Sequence, residues 1–150
     1  MIRVLVVDDS AFMRQVISDI ISSASDMEVV GTAKNGVEAV KMSLLLKPDV
    51  ITMDVEMPKM DGLSALREIM KSNPVPVIMV SAYTERGALV TIEALHSGAV
   101  DFVKKPQGPI SLRMDEVQGE LLEKIRIAYE ANFCLLYTSD AADEGLGVDL

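Results

Sequence analysis

The chain has one cysteine, Cys134, and one histidine, His96. A single cysteine excludes an internal disulfide and a multi-cysteine metal site. A single histidine speaks against a histidine-rich metal site and against a Ser-His-Asp catalyst, and there is no Gly-x-Ser-x-Gly pentapeptide to carry a hydrolase serine. Basic residues are scarce: 14 Lys and Arg stand against 23 Asp and Glu, a net charge of −9. Nucleic-acid backbone binding needs clustered cations, so that class is set aside. No apolar run reaches the ~18 residues that span a bilayer. The N-terminus lacks the basic-then-apolar pattern of a signal peptide. The expectation is a cytoplasmic protein that engages neither nucleic acid nor membrane. No Gly-x-Gly-x-x-Gly follows the first strand. Gly31 and Gly36 have P-loop spacing, but Val37-Glu38 stands where Lys-Ser/Thr is required.

What is present is a regular alternation. The 150 residues, 49% hydrophobic, suit one domain with a proper core. Strands are expected at about Arg3–Val7, Glu28–Ala33, Asp49–Asp54, Val75–Ser81 and Val100–Val103. Between them lie helical patterns. The first helix covers about Ser10–Ala24, with Phe12, Val16 and Ile20 at spacing four. The second is capped by Asn35 with Glu38 as capping-box partner and ends near Lys47, before Pro48. The third opens at Asp61-Gly62, turns Leu63, Leu66, Ile69 and Met70 inward and breaks at Asn73-Pro74. The fourth covers about Glu85–Ser97 and ends at Gly98. The last runs from about Asp115 to Ala131, with Val117, Leu121, Leu122 and Ile125 inward. Strand–helix alternation of this kind makes a parallel sheet covered on both faces. Five such units resemble the flavodoxin-like doubly wound class, an α/β fold of strand order 2-1-3-4-5. That order sets the first and third strands side by side.

The chemistry gathers at the strand ends. Val4-Leu5-Val6-Val7 runs into Asp8-Asp9, and Val50-Ile51-Thr52-Met53 runs into Asp54-Val55-Glu56-Met57-Pro58. In open α/β sheets ligands bind outside the carboxyl ends of the strands. Two carboxylates about 4 Å apart at an effective dielectric of ~20 repel by roughly 4 kcal/mol. A folded chain answers by raising a pKa or by holding a cation. All-oxygen ligands favour a hard ion such as Mg²⁺, which in turn attracts phosphate. The fourth strand ends in the hydroxyl of Ser81, and the fifth leads to Lys104-Lys105-Pro106. Acid, acid, hydroxyl and cation are the groups a phosphoryl site needs.

The set Asp8-Asp9, Met53-Asp54-Val55-Glu56-Met57-Pro58 with Asp61-Gly62, Ser81-Ala82 and Lys105-Pro106 resembles the response-regulator receiver family over about residues 2–130. The resemblance implies roles one by one. Asp54 is the phosphoacceptor, attacking phosphorus in line. Asp9 is a direct Mg²⁺ ligand, with Asp8 acting mostly through water. Asp54 also borders the metal, and Glu56 lends it a backbone carbonyl. Ser81 is the switch hydroxyl, Lys105 the phosphoryl-binding lysine and Phe102 the aromatic that changes rotamer. Plainer readings stand beside these. Asp8 and Asp9 also suit a helix cap, Ser81 a strand-end hydroxyl, Lys105 a solvated loop and Phe102 ordinary core packing.

Within that family, Asp8-Asp9-Ser10-Ala11-Phe12-Met13-Arg14 and Ser97-Gly98-Ala99-Val100-Asp101-Phe102-Val103 resemble the regulatory domain of chemotaxis-type protein-glutamate methylesterases. The implied partners are a sensor histidine kinase as phosphodonor and either a catalytic domain beyond this chain or chemoreceptor machinery. No esterase residues occur here, so no hydrolase activity is expected of these 150 residues. The alternatives are the receiver of another response regulator, stand-alone or transcriptional, and an Asp-nucleophile phosphatase. The phosphatase would want Asp-x-Asp-x-Thr, where this chain reads Asp54-Val55-Glu56. The receiver is expected to occupy residues 1–132 with its final helix. Residues 133–150, from Phe133-Cys134 onward, continue no helical period and are expected to be a non-native or disordered tail.

Overall fold

The computed structural model describes residues 1–55, 57, 59–81, 85–104 and 117–132. Strand and helix alternate as β1 (Ile2–Val7), α1 (Ala11–Ser22), β2 (Met27–Ala33), α2 (Gly36–Leu46), β3 (Val50–Asp54), α3 (Gly62–Ser72), β4 (Val77–Ser81), α4 (Glu85–His96) and β5 (Asp101–Lys104). A further helix, α5, occupies residues 117–132. The five strands form one sheet in the order β2-β1-β3-β4-β5, and every pairing is parallel. This is the doubly wound α/β arrangement expected from the alternation.

The strands read as continuous apolar runs because both of their faces are buried. Side chains alternate between two cores. Val4, Val6, Val50, Ile78, Val80 and Val103 face α1 and α5, where Ile17, Ile21, Leu121 and Ile125 meet them. Leu5, Val7, Ile51, Met53, Val77 and Met79 face the other layer, which includes Ala39 of α2, Leu66 and Ile69 of α3 and Ala94 of α4. A one-residue slip of any strand would exchange its two faces, so the register is well specified.

The helix starts follow from their caps. The Ser10 hydroxyl accepts the Met13 N–H at 3.2 Å, the Asn35 amide oxygen accepts the Glu38 N–H at 2.9 Å, and an Asp61 carboxylate oxygen accepts the Ser64 N–H at 2.8 Å. Glu38 does not close a capping box on Asn35, because its carboxylate accepts the Lys34 N–H instead, at 3.2 Å. The helix ending at Leu46 turns through Lys47 at φ 48°, and Gly98 takes φ 120° after α4. Several element bounds shift by a residue or two from those expected. Strand β4 begins at Val77 rather than Val75; Pro76, with no N–H, sits at its threshold. Strand β5 begins one residue later than expected, at Asp101. Phe12 is not on the inner face: it is 63% exposed, while Met13 and Val16 pack half-buried against the core and Ile17, Ile20 and Ile21 are buried. Among the described residues no helix is long and apolar enough to cross a membrane.

Candidate functional site

The sheet register brings the sequence-predicted acids together. Val7 pairs with Met53, so Asp8 and Asp54 come next along two adjacent strands at their carboxyl ends. Asp54 in turn pairs with Val80, and Ser81 with Lys104. Four neighbouring strands therefore end in acid, acid, hydroxyl and lysine.

One carboxylate oxygen each from Asp8, Asp9 and Asp54 lies within 4.8 Å of the others. Asp8 and Asp54 are buried and Asp9 is exposed, so the cluster opens to solvent on the Asp9 side. Asp8 is held firmly. Its N–H donates to the Ala33 carbonyl at 3.1 Å, its Oδ1 accepts the Ser10 N–H at 2.9 Å, and its carbonyl accepts from Arg14 Nη1 at 2.9 Å. Because Ser10 caps α1, neither Asp8 nor Asp9 serves as that cap.

The chain beyond Asp54 is clamped as well. Val55 donates to the Val80 carbonyl at 3.3 Å, and Gly62 donates back to the Val55 carbonyl at 2.9 Å. Gly62 lies so close to the Asp54 carbonyl oxygen that a Cβ there would overlap it. Lys59 takes φ 67°, and the Met60 carbonyl accepts the Gly36 N–H at 3.1 Å. The nucleophile candidate thus sits on a strand end whose following turn is fixed at two points.

The donor set fits a small hard cation. All three side chains offer anionic oxygen, the chemistry Mg²⁺ prefers. Their oxygens already lie within 4.8 Å of one another. Asp8, Asp9 and Asp54 would hold the ion. Glu56 and Lys105 lie outside the described residues, and Ser81 is placed by its backbone alone.

Phe102 is half-buried against the core layer facing α2 and α3. Lys124 of α5 reaches across to it: Nζ stands 5.3 Å from the ring centroid and donates to the Phe102 carbonyl at 2.6 Å. The same ammonium meets Glu120 at 2.9 Å and Asp101 at 3.4 Å. Burial pulls the Lys124 pKa down, but Glu120 and Asp101 outweigh it and hold the group above the usual lysine value. Sequence reasoning missed the roles of Arg14 and Lys124. The Glu120–Lys124 spacing of four was the available signal for the second; the first had none, since its partner is a backbone carbonyl.

The family described as "Response regulator receiver domain" matches residues 4–115. A protein-glutamate methylesterase/protein-glutamine glutaminase of Thermotoga maritima is 65% identical over 127 residues, covering 85% of this chain and 37% of that protein. Its counterpart in Pyrococcus abyssi is 58% identical over 127 residues, covering 85% of this chain and 34% of that protein. The chain therefore spans little more than a third of these curated relatives. Among solved structures, the response regulator domain of Thermotoga maritima CheB superposes with a TM-score of 0.79 at 63% identity, covering 87% of this chain and 97% of that one. The signal receiver domain of the response regulator NarL from Mycobacterium tuberculosis gives 0.70 at 28% identity, covering 83% and 96%.

Proposed function

The chain belongs to the response regulator receiver domain family, and from that membership we propose that it is a phosphorylation switch whose acceptor is Asp54. The observation that carries this reading is the convergence of Asp8, Asp9 and Asp54 at the ends of two adjacent strands.

A carboxylate oxygen of Asp54 attacks phosphorus of a phosphohistidine on a sensor kinase. The new O–P bond forms as the P–N bond breaks, and the electron pair leaves with the imidazole. Mg²⁺, when bound, neutralises charge on the phosphoryl oxygens. Asp8, Asp9 and Asp54 would hold it, with the backbone carbonyl of Glu56 as a further ligand. Burial of Asp54 restricts water at the nucleophile, while the exposed Asp9 side leaves an approach for the donor. Ser81 and Lys105 bind the transferred group, and Phe102 relays its arrival.

The identity to protein-glutamate methylesterases supports reading the chain as the regulatory part of such an enzyme. On this reading residues 1–132 make up the receiver, and residues 133–150 form a non-native or disordered tail. The esterase residues lie in a domain outside this chain, and the unphosphorylated receiver covers them until phosphorylation shifts the population. The protein works in the cytoplasm, beside the kinase and chemoreceptors. Incubation with acetyl phosphate and Mg²⁺, followed by intact-mass measurement, should add one phosphoryl group. Asp54→Asn should abolish it, and labelling that survives the substitution would sink the assignment.

A further inference from the structure

Asp8 is buried, and three of its polar groups are tied to three different places. Its amide is tied to β2 through Ala33, its carboxylate to the Ser10 N–H and its carbonyl to the guanidinium of Arg14. The carbonyl is the telling one. It belongs to the planar peptide that joins Asp8 to Asp9, so holding it sets the rotation of that peptide and the direction in which Asp9 leaves. Asp9 is exposed, and core packing does not orient it. Arg14 is itself well anchored. Its N–H donates to the Ser10 carbonyl at 2.9 Å in the first turn of α1, the turn that Ser10 caps. Asp8, Ser10 and Arg14 thus close a ring around the segment that carries two of the three clustered carboxylates.

We propose that Arg14 is the positioning residue of the cation site: by gripping the Asp8 carbonyl it aims the Asp8 and Asp9 carboxylates at Asp54. The inference rests on the reading of this cluster as a Mg²⁺ site and adds to it a residue that touches neither ion nor phosphoryl group.

Charge makes the inference testable by sign. A guanidinium beside a cation site repels the cation, so as a mere bystander charge its removal would tighten Mg²⁺ binding. As a positioning residue its removal loosens binding. Groups that orient metal ligands are typically worth ~10- to 100-fold in affinity.

The experiment is calorimetric titration of the whole chain with Mg²⁺, with thermal unfolding in EDTA run alongside so that every titration is made well below the unfolding midpoint. Arg14→Met should raise the Mg²⁺ Kd about 10-fold or more. Arg14→Lys keeps the charge but replaces the planar guanidinium that reaches the Asp8 carbonyl with a compact ammonium on a differently shaped stem, and its Kd should fall between those of wild type and Arg14→Met. A Kd for Arg14→Met equal to or below the wild-type value overturns the proposal. If Arg14→Met does not fold, Arg14→Lys decides: weaker binding upholds the role and wild-type binding overturns it. Absence of Mg²⁺ binding by the wild-type chain would overturn the metal-site reading together with this one. Wild-type binding that Arg14 does not influence would overturn this one alone.

Discussion

Replacing Asp54 by asparagine should make the metal-free chain more stable, although it removes the residue on which the activity depends. Asp8 and Asp54 are both buried, with carboxylate oxygens within 4.8 Å of each other. At an effective dielectric of ~20, unit charges at such a separation repel by roughly 3 kcal/mol. Asp9 is exposed, and at a water-like dielectric its share is below about 1 kcal/mol. Asp8 and Asp54 also make other interactions, and the net gain on neutralising Asp54 is about 1–3 kcal/mol. For a domain of this size each kcal/mol moves the unfolding midpoint by ~3–5 °C. The variant should therefore melt roughly 3–15 °C above wild type in EDTA. Magnesium narrows the difference. Free Mg²⁺ at a hundred times Kd stabilises the wild type by about 2.7 kcal/mol, and the variant, one ligand charge short, gains less. Thermal unfolding followed by circular dichroism, in EDTA and in saturating Mg²⁺, reads both effects. A variant that melts at or below wild type in EDTA, with an undiminished Mg²⁺ shift, would refute the reasoning.

Gly62→Ala should lower stability by about 1–3 kcal/mol, since the new methyl overlaps the Asp54 carbonyl and the turn must move. The same displacement should slow acetyl-phosphate labelling at least ~10-fold, which a labelling time course reads. Ile125→Ala should cost about 2–5 kcal/mol in urea unfolding, because α5 closes the core over β1 and β3. The Arg126 guanidinium hydrogen-bonds Asp26 at 2.8 and 3.0 Å and holds its carboxyl below the usual carboxylate range. A folded-state pKa below the unfolded one contributes stability above about pH 4 and loses it as pH falls through the folded value. Arg126→Met should therefore unfold earlier than wild type in urea at pH 7, and the two curves should converge as pH drops below ~4.

Much of this architecture is legible in the sequence because the strands are buried on both faces. Runs such as Val4–Val7 and Val50–Met53 admit few other readings, and parallel order follows from the intervening helices. Asp8 and Asp54 are legible for the same reason: each is the polar residue that ends such a run. Other features depend on partners that periodicity does not see. Phe12 keeps helical spacing with Val16 and Ile20, yet it is exposed while those two pack against the core. The Arg14 bond ends on a backbone oxygen and needs no matching residue type. Lys124 meets Phe102 across 22 residues of chain, through a carbonyl and a ring face. Asn35 and Glu38 have capping-box spacing, but the carboxylate settles one residue earlier, on Lys34.

The claim that Asp54 carries the phosphoryl group is met most directly by locating the bond. The chain is labelled with acetyl phosphate and Mg²⁺, then reduced with borohydride, which converts an aspartyl phosphate to homoserine, and its peptides are sequenced by mass spectrometry. The account predicts homoserine at position 54, with Asp8 and Asp9 unchanged. Homoserine at either of those positions, or a stable phosphate ester on a hydroxyl with Asp54 intact, would contradict it.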